Sequence, residues 1–226
     1  MDIFIEPLNM NHLPVKAFFT GKSPGADPAK ICAVLPIKQD NIYLPVQKHT
    51  DRVHIIDSDL TQEVADSVIT ERTGILIGVR VADCVPILLV DRKNIIIGAV
   101  HAGWRGTATQ IIQKTIHVMV ERFHSAPSDI MVALGPSISG KCYHVDADVM
   151  DAVFQATGNG EYFIRKGDKF CIDLIAANML QAFSTGIPGE NIWSSDECTH
   201  CRPDRYYSYR YSRQYNGSQG GFIGIV

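Results

Sequence analysis

The 226-residue chain has no apolar run approaching the ~18–20 residues that cross a bilayer, which excludes a transmembrane helix from the expected organisation. Its leading stretch, MDIFIEPLNMNHLP, lacks a basic segment ahead of a long apolar one, so no cleaved signal peptide is expected and a cytoplasmic location follows. Low-complexity tracts, long Pro/Ser/Gly linkers and fixed-period repeats are also missing, which favours one domain over residues 1–226. Nor is there a surplus of basic charge. Lys and Arg number 21 against 24 Asp and Glu, a net charge of −3, which excludes a general nucleic-acid binder and a strong membrane-surface affinity. Disorder is excluded as the main state by 46% hydrophobic and 20% charged residues. Cysteine is present, six times, at positions 32, 84, 142, 171, 198 and 201. In a cytoplasmic chain such cysteines are expected to be reduced: buried, metal-binding or catalytic rather than disulfide-bonded.

The first sixty residues are loop-rich, with short apolar stretches between turn signals. A dense Ile/Leu/Val block then runs from Gly74 to His101 and divides into strands Ile75–Val81, Val85–Val90 and Ile95–Val100, with Asp91 to Asn94 as a tight turn. Ala108, Ile111, Ile112, Thr115, Ile116, Met119, Val120 and Phe123 recur at helical spacing and predict one amphipathic helix. A strand over Ile130–Leu134, a helix over Asp173–Phe183 and a terminal strand over Gly221–Val226 complete the pattern. The expected class is α+β, with mixed β-sheets packed in layers and flanking helices.

Chemistry concentrates where these strands end, because a rigid sheet positions side chains there while loops admit substrate. A hairpin of Val85–Val90 with Ile95–Val100 places Cys84 and His101 at the same end, beside Asp83. Residue type alone leaves Cys84 open between an inert buried thiol and a functional one, and His101 open between a hydrogen-bonded core histidine and a ligand. With His49, from Gln47-Lys-His49-Thr, the pair would make a three-ligand site with an open fourth position, the pattern of a catalytic zinc. Arg105, between Gly103 and Gly106 at the predicted helix start, suits an anion site or a plain surface arginine. Cys198-Thr-His-Cys201 is a C-x-x-C without a second pair at finger spacing, and would need Cys142 or Cys171 to close a metal site. Gly135-Pro-Ser-Ile-Ser-Gly140 matches neither a Walker A loop nor a nucleophile elbow and reads as a tight loop after a strand. The tail from Arg202 to Arg213 alternates aromatic and basic residues. The net charge favours a small-molecule pocket wall or plain strand alternation there over a nucleic-acid surface.

Ala82-Asp-Cys84-Val-Pro86, Ala99-Val-His101-Ala-Gly-Trp-Arg-Gly106, Leu134-Gly-Pro136 with Cys142-Tyr143, and Ser208-Tyr-Arg210 together resemble the YfiH-like family. Its members carry laccase-domain or polyphenol-oxidase labels and are described as purine nucleoside phosphorylases. The resemblance covers the chain from about Phe18 onward, and its Cys and His motifs stand seventeen residues apart. It implies packed mixed sheets likened to the catalytic domain of cytotoxic necrotizing factor. It also implies a zinc ion, with copper as the alternative occupant, on His49, Cys84 and His101. The implied reactions are phosphorolysis of adenosine, inosine, guanosine and methylthioadenosine, and deamination of adenosine.

On that resemblance the candidate catalytic residues are Cys84, His101, Asp83 (as proton shuttle), Arg105 and Arg210. Lys22, Gln47, Arg105, Ser208 and Arg210 are the candidates to hold substrate and phosphate. The partners are then small-molecule purine nucleosides and phosphate, with no nucleic acid and no membrane. Where family members carry Thr-Thr-Arg, this chain has Phe19-Thr-Gly-Lys22, a point charge in place of a bidentate fork. His200 and Cys201 follow the familiar Cys198-Thr199 as an addition. Two other readings use the same residues: a metal-free hydrolase or deamidase with a Cys84–His101 nucleophile–base pair, and a metal-binding regulatory protein without turnover. A true multicopper oxidase is excluded, because none of the eight histidines forms a His-x-His pair.

Overall fold

A computed structural model describes residues 4–167, 169–214 and 216–226. Its strands are β1 (Phe4–Ile5), β2 (Val15–Thr20), β3 (Ile42–Tyr43), β4 (Val53–Ile55), β5 (Ser67–Thr70), β6 (Leu76–Val81), β7 (Val85–Asp91), β8 (Ile96–Ala102), β9 (Ile130–Leu134), β10 (His144–Val145), β11 (Phe163–Lys166), β12 (Lys169–Ile172), β13 (Ile192–Ser194) and β14 (Gln219–Ile225). The α-helices are α1 (Pro28–Cys32), α2 (Trp104–Ala108), α3 (Ile111–Phe123), α4 (Ala147–Thr157), α5 (Leu174–Ser184) and α6 (Tyr209–Ser212). Among the described residues the strands make a six-stranded mixed sheet, β13-β9-β7-β8-β5-β4, a five-stranded mixed sheet, β1-β2-β14-β6-β3, and a small antiparallel sheet, β10-β12-β11. This is the layered α+β architecture expected.

The hydrophobic block is continuous because its strands are buried on both faces. Along β7, Ile87 and Leu89 join the cluster that includes Ile112, Ile116 and Met119 of α3 and Ala177 and Ala182 of α5. The alternate residues Leu88 and Val90 face the five-stranded sheet, packing with Ile77, Val79 and Ile223. Each such side chain contributes roughly 1.5–3 kcal/mol by leaving water. The β7–β8 turn is held by the Asp91 carboxylate, which accepts from the Lys93 and Asn94 amides at 2.8 and 3.0 Å.

One expectation changes. The stripe from Ala108 to Phe123 is not one helix. α2 ends at Ala108, Gln110 takes a left-handed conformation (φ +60°), and α3 begins at Ile111. The Gln110 side chain donates to the Ala156 carbonyl of α4 at 2.9 Å, and the Thr109 hydroxyl bonds back to Arg105. These tertiary and local bonds win over helix continuity, while the apolar stripe survives unchanged in α3. The expected elements also leave out α4 and the β11–β12 hairpin. α4 buries Val153 fully and packs Val149, Met150 and Phe154 against the core, a helical stripe that went unrecognised.

The glycines of the 135–140 loop have a packing explanation. A Cβ on Gly135 would stand 2.2 Å from Cδ1 of Phe19, and one on Gly140 would stand 2.8 Å from Cβ of Asp173. The phosphate-loop likeness therefore reflects close packing, in agreement with the tight-loop expectation.

Candidate active site

The register of the β7–β8 hairpin builds the site. Pro86 pairs with His101 and Val85 with Ala102, so Cys84, one residue before β7, comes opposite Gly103. A Cβ at Gly103 would lie 2.9 Å from Cys84 Sγ and 3.4 Å from Cδ2 of His49, so only glycine leaves room for the thiol and the second imidazole. On the other side of β8, β5 and then β4 pair in turn, and the loop ahead of β4 carries His49 in a left-handed conformation (φ +58°). The ligand atoms of His49, Cys84 and His101 all lie within 4.8 Å of one another. His101 is buried, Cys84 half-buried and His49 exposed, so the trio opens to solvent on the His49 side.

A fourth residue holds the trio in place. Asp66, fully buried just before β5, accepts from His101 Nδ1 at 2.7 Å and from the amides of Lys48, His49 and Thr50 at 3.2, 3.1 and 2.6 Å. It also accepts from the Thr50 hydroxyl at 2.8 Å. One carboxylate thus orients the His101 ring, leaving Nε2 toward the thiol, and fixes the backbone that presents His49. Sequence reasoning missed Asp66. The only signal was an acidic residue at the foot of an apolar strand, Val64-Ala-Asp66-Ser-Val-Ile.

The electrostatics follow from this packing. Burial opposes ionisation of Cys84, but the His101 and His49 imidazoles outweigh it and bring the thiol down to about 6. Burial likewise works against a charged His101, yet the Cys84 thiolate and the Asp66 carboxylate raise it to about 9. Burial would raise the Asp66 carboxyl too, and the His101 and Thr50 hydrogen bonds override it to hold that group well below the usual carboxylate range. The thiol is therefore a thiolate above about pH 6 in the metal-free protein. Alkylation of Cys84 in chelator-treated protein is expected to level off near that pH and to fall about tenfold per unit below it. A profile still rising through pH 8 would contradict it.

The trio lies at the edge of a cavity of about 780 Å³, large enough for a nucleoside-sized ligand. Three arginines, Arg80, Arg105 and Arg210, line it together with Trp104, Tyr143 and Tyr209. Arg105 stacks 4.4 Å over the Trp104 ring. Arg210 lies 4.8 Å from the Tyr143 ring centre and donates from Nη1 to the His144 carbonyl at 3.0 Å. Asp83, strained at φ +90°, spends one oxygen on the Thr199 hydroxyl and the other on the Arg210 amide, both at 2.7 Å. These bonds give Asp83 a positioning part beside the proton-shuttle part expected for it. Gln47 lines the cavity, but both ends of its amide bond the Arg80 backbone at 2.8 Å, which clamps the His49 loop to β6.

Two candidates stand outside the cavity lining. Lys22 donates to the Pro203 carbonyl and lies 5.5 Å from the Tyr207 ring centre. Ser208 caps α6 by accepting from the Tyr211 amide at 3.1 Å, so its effect passes through the helix that bears Arg210. Arg80 and Trp104 are cavity residues that the sequence left unmarked as such, because Arg80 sits inside an apolar strand and Trp104 between residues with more evident chemistry, His101 and Arg105.

A cavity of this kind at the end of a hairpin, with a His-Cys-His trio braced by a buried carboxylate, defines a class that comparison with known proteins makes specific. Residues 26–226 match the family model described as multi-copper polyphenol oxidoreductase laccase, and the chain belongs to that family, with relatives named YfiH and YlmD. It is 36% identical over 170 residues to the purine nucleoside phosphorylase YlmD of Geobacillus stearothermophilus, covering 70% of this chain and 59% of that protein. It is 35% identical over 189 residues to adenosine deaminase RL5 from an unknown prokaryotic organism, covering 78% and 72%. The crystal structure of YlmD from G. stearothermophilus superposes with a TM-score of 0.89 at 28% identity, covering 100% of this chain and 99% of that one. The matched span is thus little more than half the length of the first relative's sequence. Among the described residues no helix is long and apolar enough to cross a membrane.

Proposed function

We propose that residues 1–226 act as one catalytic domain, a purine nucleoside phosphorylase with adenosine deaminase activity, using zinc on His49, Cys84 and His101. The observation that carries this reading is the convergence of the three donors within 4.8 Å on the wall of an arginine-lined cavity. The names of the relatives, nucleoside phosphorylases and one deaminase, support the reaction class.

The donor set fits zinc. Two imidazoles and a thiol that ionises readily make a borderline-soft site, and three protein ligands leave one position open. Zinc bound there supplies Lewis acidity at the reacting oxygen. The same trio fits copper less well as an oxidase centre, since such centres use more histidines than this cluster offers.

The chain's own residues account for the rest. Asp66 keeps the His101 proton on Nδ1, so Nε2 is the nitrogen that would hold the metal. Arg80, Arg105 and Arg210 present a cationic wall to phosphate. Tyr143, Tyr209 and Trp104 supply faces on which a purine can stack. Arg210 is itself aimed by Asp83 and by α6. Arg210→Ala is expected to raise KM for phosphate by about 10–100-fold with a smaller effect on kcat, as for loss of one or two charge-assisted hydrogen bonds. Equal KM values for the variant and the parent would remove Arg210 from the phosphate site.

The decisive measurement is chromatographic detection of free base from inosine and adenosine, with and without phosphate, using metal-quantified protein. Release that requires phosphate supports the phosphorylase, and inosine formed from adenosine supports the deaminase. Turnover unchanged by complete chelation overturns the zinc reading. It would favour the Cys84–His101 nucleophile–base pair, which the lowered thiol makes chemically reasonable.

A further inference from the structure

A second group of metal-type side chains lies apart from the first site. Cys142, His200 and Cys201 bring their ligand atoms within 4.8 Å of one another, and the Cys142 and Cys201 sulfurs are 3.3 Å apart. The Cys198 thiol also meets that of Cys201 and accepts from the Ser139 amide at 3.3 Å. The chain thus provides Cys198-Thr-His-Cys201 on one loop, and the fold delivers the missing partner, Cys142, from the loop after β9.

The backbone around these residues is already fixed. Arg202 N–H donates to the Cys198 carbonyl at 3.1 Å, closing the C-x-x-C stretch into a turn. Thr199 N–H donates to the Ser137 carbonyl at 3.0 Å, which ties the two loops side by side. Cys142 N–H donates to the Ser139 carbonyl at 2.9 Å, turning its own loop back toward the pair. An amide pointing at a cysteine sulfur is the kind of outer support that orients metal-bound thiolates.

We propose that Cys142, His200 and Cys201, completed by Cys198 when its thiol moves in from outside the 4.8 Å group, form a second, structural zinc site. Three thiolates and one imidazole make the closed four-ligand set of structural zinc, with no position left for substrate. Soft sulfur donors select zinc over magnesium or calcium. The site's use is mechanical, because three of its ligands neighbour the cavity wall or the helix that bears Arg210. Thr199, beside Cys198, donates to Asp83 at 2.7 Å; Tyr143, beside Cys142, lies under Arg210; and the His200 ring meets Tyr211 of α6 at 5.8 Å. Zinc here pins the loop carrying Tyr143 to the one that leads into Arg210.

The test removes the first site from the question. Full-length protein carrying His49→Ala and Cys84→Ala is purified with zinc supplied, and its metal content is measured by mass spectrometry. A second sample carries His200→Ala and Cys201→Ser in addition. About one zinc per chain is expected in the first sample and almost none in the second, with a lower melting temperature when the first is stripped by chelator. Cys201 is exposed and His200 half-exposed, so the added changes leave the core intact, and far-ultraviolet circular dichroism verifies it. No zinc in the first sample, or equal zinc in both, overturns the assignment. So does a thiol titration that finds two thiols missing from metal-free protein, the sign of a Cys142–Cys201 disulfide instead.

Discussion

Asp66→Ala is expected to weaken zinc retention at the His49–Cys84–His101 site by about 10–100-fold and to abolish detectable turnover at ordinary zinc concentrations. The carboxylate serves three amides, one hydroxyl and one imidazole, all from positions that present the ligands. Its removal leaves buried donors without an acceptor and a buried imidazole without its counter-charge, at a cost of roughly 3–5 kcal/mol to the fold. Asp66→Asn separates the two effects. The amide oxygen still accepts from the loop, so the melting temperature recovers partly, while the His101 orientation and the zinc affinity do not. The sign of the acid dependence follows as well. Because the folded protein holds this carboxyl below its ordinary value, its stabilisation is complete above the ordinary carboxylate range and is lost as pH falls through the folded value. Parallel melts and metal analyses decide the matter, and parental zinc content in Asp66→Ala would sink the bracing role.

Cys84→Ala is expected to lower phosphorolysis by about 10³-fold or more, the factor that corresponds to several kcal/mol of lost Lewis-acid assistance. The variant should stay folded, since the thiol is half-buried and alanine opens space rather than demanding it. Zinc content should drop with activity in the same preparation. His101 should lose most of its elevation, because the thiolate is the largest influence raising it. Activity lost while zinc stays bound would move Cys84 from ligand to nucleophile, and a covalent adduct with an electrophilic substrate mimic in the parent protein would then be expected.

Much of this was legible in the residues, and the divide is physical. β7, β8 and β9 were readable because burial on both faces writes nearly unbroken apolar runs, the terminal strand was readable from its Phe222-Ile-Gly-Ile225 stretch, and the hairpin between β7 and β8 put Cys84 beside His101. α4 was legible too, in Val149, Met150, Val153 and Phe154 at helical spacing, but went unread. The break at Gln110 was hidden because its cause is a bond to Ala156, far along the chain. Asp66 escaped for a similar reason: a buried acceptor is recognised by its donors, and those come from positions 48–50 and 101. Lys22 shows the same limit from the other side, because its contacts also come from far along the chain. Its charge and motif position suggested phosphate, but the side chain is engaged by Pro203 and Tyr207 away from the cavity.

The place of β14 sets the order in which this protein comes into being. That strand lies between β2 and β6, and its first residue, Gln219, pairs with Val81, three residues before Cys84. Until Gln219–Ile225 is made, β2 and β6 each keep one unpaired edge, with β1 and β3 on their other sides. The strands that hold Cys84 and His101, with Asp66 beside them, all precede it in the chain and lie in the other large sheet. The five-stranded sheet is therefore closed after the six-stranded one, and the acidity of Cys84, which its imidazole neighbours cause, does not wait for that closure.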